Sequence, residues 1–129
     1  MLSLGDIQIT VSDLERGLRF WATGLGLRVT AREQTPHSGF AVVEFEDGAR
    51  LRLISPARAW EPGERPQPGD RPGLSFDVET STFEDTLLRL LEHGGVQTGE
   101  VEAYEGMRIV PLEDPDGNPL DLIELPSGG

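Results

Sequence analysis

Short alternating runs of apolar and polar residues, broken by two stretches with helical spacing, run along most of the chain. The period-two segments read as strands at residues 4–11, 26–33, 39–46 and 50–54, and the stretch 13–24 reads as a helix, giving the order βαβββ. Ser12 and Glu15 have the spacing of a capping box, and Leu14, Leu18, Trp21 and Leu25 form one apolar stripe that Gly24 and Gly26 close. The same design returns later in the chain. Ser81 and Glu84 form a second box, Phe83, Leu87, Leu90 and Leu91 a second stripe, and Gly94 and Gly95 a second stop, before strands near 96–102, 106–112 and 118–125.

Residues 55–72, "SPARAWEPGERPQPGDRP", hold five of the ten prolines and fit neither a long helix nor a central strand, so they divide the chain. The expected organisation is one domain over 1–129, with module one at 1–54, a linker at 55–72 and module two at 73–126. "DIQITV" at Asp6 and "GLSFDV" at Gly73 differ by 67 positions, whereas "LRLI" at Leu51 and "LDLI" at Leu120 differ by 69. The two extra residues are assigned to the turns, and the halves are read as an internal duplication in an α+β fold.

Alternation also assigns faces. Ile7, Ile9, Val11, Leu51, Leu53, Leu120 and Leu122 point to the helices, which leaves Asp6, Gln8, Arg52, Ser75 and Asp121 as a polar row on the other side. A three-residue turn at Asp47–Ala49 pairs Glu44 with Arg52 and adds Phe40 and Val42 to that row's face, and Met107 and Ile109 join them by the internal repeat. An apolar wall beside a polar row is the lining expected of a concave small-molecule site. Trp60, a large aromatic in a polar linker, is expected to bury over that pocket or against a partner subunit. Arg52 is read either as a ligand grip or as an ion pair with Glu44 or Asp121, and Asp6 with Asp121 as a thinner acid–base alternative.

Of the remaining residues, Trp21 belongs to the core, His37 to an exposed turn and His93 to the last carbonyls of the second helix. Tyr104 is placed at the pocket rim or an edge.

Composition narrows the chemistry. The net charge of −12, with eleven scattered arginines as the only fixed cations, argues against nucleic acid. Without cysteine there are no disulfides and no thiolate chemistry. No apolar run approaches a membrane span, and the opening lacks the pattern of a signal peptide, so a soluble cytoplasmic protein is expected.

With "VSDLERGLRFWATGLGLRV" near its start and "EDPDGNPLDLIEL" near its end, the sequence resembles the vicinal oxygen chelate superfamily of glyoxalase I, bleomycin-resistance proteins, fosfomycin-resistance enzymes and extradiol dioxygenases. The resemblance implies two tandem βαβββ modules forming a curved mixed sheet around a cleft. It also places four family metal-ligand positions at Asp6, Arg52, Gly73 and Asp121. A cation at one position and no side chain at another imply a protein without metal or other cofactor and without catalytic residues. The expectation is a homodimer that binds or sequesters a small molecule, including for drug resistance, with Asp6, Gln8, Phe40, Val42, Arg52, Trp60, Ser75, Met107, Ile109 and Asp121 as ligand-binding residues. A metal-dependent glyoxalase-like lyase or isomerase is the alternative reading.

Overall fold

The computed structural model describes residues 2–36, 38–55 and 75–126. His37, Trp60 and Gly73 lie outside them. Nine strands and two helices follow in the order β1 (Ile7–Thr10), α1 (Leu14–Leu18), β2 (Arg28–Gln34), β3 (Gly39–Glu44), β4 (Arg50–Ser55), β5 (Phe76–Thr80), α2 (Phe83–Glu92), β6 (Val96–Gln97), β7 (Glu102–Tyr104), β8 (Met107–Glu113) and β9 (Pro119–Glu124). Backbone pairing makes two mixed sheets, β1-β4-β3-β2 and β5-β9-β8-β6, with β7 also on β8. In each module the first strand runs parallel to the last and the remaining pairs are antiparallel. The tandem βαβββ architecture is therefore as the alternation predicts.

One shift of 69 residues relates the modules throughout: Ile7 pairs with Leu51 as Phe76 pairs with Leu120, and Glu44 with Arg50 as Glu113 with Pro119. The shift of 67 at the first strands is corrected, and the two hairpin turns are equally long. In the first hairpin the loop is Glu46–Gly48, with Phe45 N–H donating to Ala49 O at 2.8 Å. Glu44 faces Arg50, and Arg52 faces Val42, not Glu44. The cause is Gly48, whose φ of 96° sets it as the last loop residue, where a left-handed backbone suits glycine. A slip of two residues keeps every side chain on its face, so the assignment of faces stands.

The helix starts also differ. Asp13 caps α1, its carboxylate accepting from Arg16 N–H at 3.1 Å, because Ser12 is drawn instead to Asp116. Thr82 precedes α2 without a side-chain cap, and Glu84 turns to Arg108. Neither capping box forms. After Leu18 the first helix widens into a π-turn over Arg19–Gly24, which carries Phe20 and Trp21 into the core.

A single apolar cluster joins both modules. It includes Val11, Phe20, Trp21, Val43 and Leu53 from the first and Val78, Leu90, Val110, Leu120 and Leu122 from the second. Trp21 meets Phe20 at 5.0 Å and Phe76 at 5.9 Å between ring centroids, both edge to face. Leu91 is exposed, off the stripe assigned to it. His93 Nδ1 lies 2.6 Å from Arg89 O, at the last turn of α2. No helix among the described residues is long and apolar enough to cross a membrane.

Candidate functional site

On the face of module one away from its helix, the parallel register sets Gln8 beside Arg52, and the antiparallel register sets Val42 on Arg52's other side. Asp6, just before β1, receives Arg50 Nε at 2.9 Å and Arg52 Nη2 at 3.6 Å. The Arg52 guanidinium also sits 5.1 Å from the Phe40 ring centroid. Asp6, Phe40, Val42 and Arg52 are thus brought together. Arg52 forms no ion pair with Glu44 or Asp121. Glu44 lies two residues along the ladder and meets Arg28 at 3.7 Å instead. Arg52 Nε is buried without a hydrogen-bond partner, so a donor of this arginine is left unused.

In module two, Asp121 stands on β9 between Asp77 of β5 and Pro111 of β8. Ile109 faces Ile123, and Met107 opens β8 opposite Tyr104, which is exposed at the sheet edge. Ser75 is exposed just ahead of β5. Under the shift of 69, Ser75 matches Asp6, Asp77 matches Gln8, Ile109 matches Phe40 and Asp121 matches Arg52. The two halves of this face therefore carry opposite charge at equivalent places, arginine in one and aspartate in the other. Asp77 lies on the side that strand alternation gives it, and the pairing of β5 with β9 sets it directly beside Asp121.

The donor set does not suit the divalent metal of the superfamily. Asp6 is taken up by two arginines, Arg52 is a cation at a position that the resemblance assigns to a ligand, and Asp121 has Asp77 as its carboxylate neighbour across the ladder. Among the described residues no group of three or more His, Cys, Asp or Glu side chains is placed to hold an ion.

The "DPDGN" turn has a structural role that sequence spacing does not disclose. Asp114 Oδ1 accepts from the backbone N–H of Asp116 at 2.9 Å and of Asn118 at 2.8 Å. Its Oδ2 accepts from Trp21 Nε1 at 2.8 Å and Asn118 Nδ2 at 2.9 Å. Asp116 Oδ1 accepts from Ser12 Oγ at 2.6 Å and Arg16 Nη2 at 3.0 Å, and Asn118 Nδ2 donates to Thr10 O at 3.0 Å. The closing turn of module two thereby clasps the strand and helix that open module one. Burial raises the Asp114 carboxyl above its ordinary value, against the pull of those four donors. On the surface, hydrogen bonds donated by Arg108 hold the Glu124 carboxyl below its usual range, and by accepting from it Glu124, then Glu84, push Arg108 upward.

A groove of about 550 Å³ opens between the tip of the first hairpin, the turn after the first helix, and β5 with the start of α2. None of the described ligand-binding residues expected from the sequence lines it. The polar row and this groove meet at Asp77, which lines the groove and pairs with Asp121.

Comparison with known proteins places this geometry in context. The family profile described as Glyoxalase-like domain matches residues 6–123. The chain is 33% identical over 120 residues to the glutathione transferase FosA of Serratia marcescens, covering 93% of this chain and 79% of that protein. The crystal structure of a glyoxalase family protein from Bacillus cereus superposes with a TM-score of 0.80 at 21% identity, over 96% of this chain and 94% of the other. A glyoxylase/bleomycin resistance protein/dioxygenase domain from Frankia gives a TM-score of 0.73 at 22% identity, over 100% and 96% of the two chains. These structural likenesses speak for the fold.

Proposed function

The chain belongs to the Glyoxalase-like domain family, and within it we propose a metal-independent protein that binds and sequesters an amphipathic small molecule. The observation that carries this reading is Arg52, a fixed cation at a family ligand position, held by Asp6 and stacked on Phe40. An arginine so placed competes with a metal for the same carboxylate and offers a planar donor to a ligand. Phe40, Val42, Met107 and Ile109 supply apolar burial, while Gln8, Arg52, Ser75 and Asp121 orient polar groups. The proposed assembly is a homodimer whose partner completes the cleft, and drug resistance is a role consistent with such sequestration.

Three measurements test it. Elemental analysis after dialysis should find no stoichiometric divalent metal, and about one Zn, Ni, Mn or Fe per chain would overturn the reading. With a ligand identified by thermal-shift screening, Arg52→Ala should weaken binding about tenfold, the loss of one charge-assisted hydrogen bond to a half-exposed donor. An unchanged affinity with lowered stability would reduce Arg52 to a partner of Asp6. Sedimentation should show a dimer at micromolar concentration, and a monomer would remove the shared cleft.

A second reading rests on the 33% identity to a glutathione transferase over most of the chain. It makes the protein a transferase or glyoxalase-like lyase. Thiol consumption or product formation from glutathione and an electrophile, abolished in Asp121→Asn, would establish it in place of sequestration.

A further inference from the structure

The groove along β5 adjoins the polar row at Asp77 and extends away from it toward the first hairpin and α2, and we propose that this extension is a second binding site, one that takes a hydrophobic ammonium ion. Its volume of about 550 Å³ matches what a drug-sized molecule fills. Ile7, Leu25, Leu27, Phe45 and Phe76 form an apolar floor over the buried Trp21. The groove lies along β5, which among the described residues pairs only with β9 and stands at the edge of its sheet.

The rim decides the charge of the occupant. Glu46 and Asp47 come from the hairpin tip, and Asp77 and Glu79 from β5. Two arginines oppose these four carboxylates, but Arg50 is already committed to Asp6 at 2.9 Å. Arg89 alone among the described lining residues remains an uncommitted cation. Asp77 and Glu79 have no ion pair among the described residues, so the β5 side of the groove presents unneutralised negative charge above an apolar floor. That combination favours a cation with an apolar body, whose charge is attracted while its hydrocarbon leaves water.

The hydroxyls at the other end reinforce the choice. Thr80, Thr82 and Thr86 Oγ1 atoms lie 3.0 to 3.3 Å from one another, and Thr80 Oγ1 also accepts Thr82 N–H at 3.0 Å. Of the three, Thr86 is buried and Thr80 Oγ1 already accepts a backbone N–H, so the exposed Thr82 hydroxyl is the one free to accept from an ammonium N–H.

The test uses decylammonium, decanol and decanoate below their aggregation limits, titrated by calorimetry into the full chain. Decylammonium should bind best, its affinity should fall with added salt, and decanoate should bind about tenfold more weakly or not at all. The double variant Glu46→Gln with Glu79→Gln, which spares Asp77 beside Asp121, should weaken decylammonium about tenfold and leave decanol unchanged. Ala49→Trp, an exposed lining position where a ring fills the groove instead of the core, should block all three. Decanoate binding as tightly as decylammonium would overturn the proposal, and so would an unaffected double variant or no binding of decylammonium at all. If Asp121→Asn weakens decylammonium and the double variant does not, the amine sits on the polar row. The groove assignment then fails while the sequestering function stands.

Discussion

Asp114→Ala should cost about 3–5 kcal/mol of folding stability, the largest effect expected of any single polar substitution in this protein. The residue is 1% exposed and accepts from two backbone N–H groups, one amide and one indole. Truncation leaves Trp21 Nε1 buried with no acceptor and frees the turn that carries Asp116 and Asn118 onto module one. Each unpaired buried donor costs about 1–3 kcal/mol, and relaxation of the turn toward water keeps the total below the sum of four such losses. Asp114→Asn should recover only part, since its NH₂ group would face donors. Urea denaturation measures both variants. A loss under about 1 kcal/mol in the alanine variant would mean that the clasp is not what joins the modules.

The same residue gives a pH dependence of definite sign. Because burial raises its folded-state pKa above the ordinary 3.8, the folded chain keeps a proton in a range where the unfolded chain has lost it. The stability from that retained proton is fully present below 3.8 and is lost as the pH rises through the folded pKa. The advantage of the wild type over Asp114→Asn should therefore shrink across that window as the pH rises. Glu124 acts in the opposite sense, since its depressed folded pKa gives a contribution present above 4.5 and lost on acidification. Comparing wild type with the Asp114 variant, both carrying Glu124, separates the two. A difference in urea midpoint that widens with rising pH would contradict the assignment.

What was legible in the sequence was whatever depends on parity. Ile9, Val11, Leu51, Leu53, Leu120 and Leu122 bury as their alternation requires, and a two-residue slip in the first hairpin left every face intact while changing the partner of Arg52. The partner could not be read because Glu44, Asp121 and Asp6 all lie on the face that Arg52 occupies; the register set by Gly48 moves Glu44 away, and the parallel pairing of β1 with β4 brings Asp6 near. The capping boxes do not form for a related reason: Ser12 has the right spacing to Glu15, but its hydroxyl donates to a carboxylate more than a hundred residues away. Asp114 carried a local signal, an aspartate two residues before a turn amide, which spacing reads as an ordinary turn. Its bond to Trp21 spans 93 positions and exists only once the modules dock. The groove likewise combines helix-side residues of module one with both faces of β5, a junction that no periodicity within one module describes.

Gly95→Ala tests that junction from the apolar side, and it should destabilise the fold by about 3 kcal/mol. The two glycines after α2 differ in what they supply. Gly94 has a φ of 96°, the left-handed turn that ends the helix, whereas Gly95 supplies space. A Cβ on Gly95 would lie 2.6 Å from Phe20 Cε2 and 2.7 Å from the carbonyl oxygen of Leu90. The ring belongs to module one, is fully buried and rests against Trp21, so it cannot swing away without disturbing the aromatic cluster. The carbonyl is backbone and accepts the Gly95 N–H at 2.9 Å, so relieving that contact means opening the helix end. Replacing Phe20 by Leu in the Gly95→Ala background should therefore recover only the part of the loss due to the ring. Gly5→Ala, where an added Cβ meets nothing within 4 Å, serves as the control and should change stability by no more than about 0.5 kcal/mol. Equal urea midpoints for Gly95→Ala and wild type would show that the modules shift against each other freely, and the rigid docking through Phe20 and Trp21 would have to be abandoned.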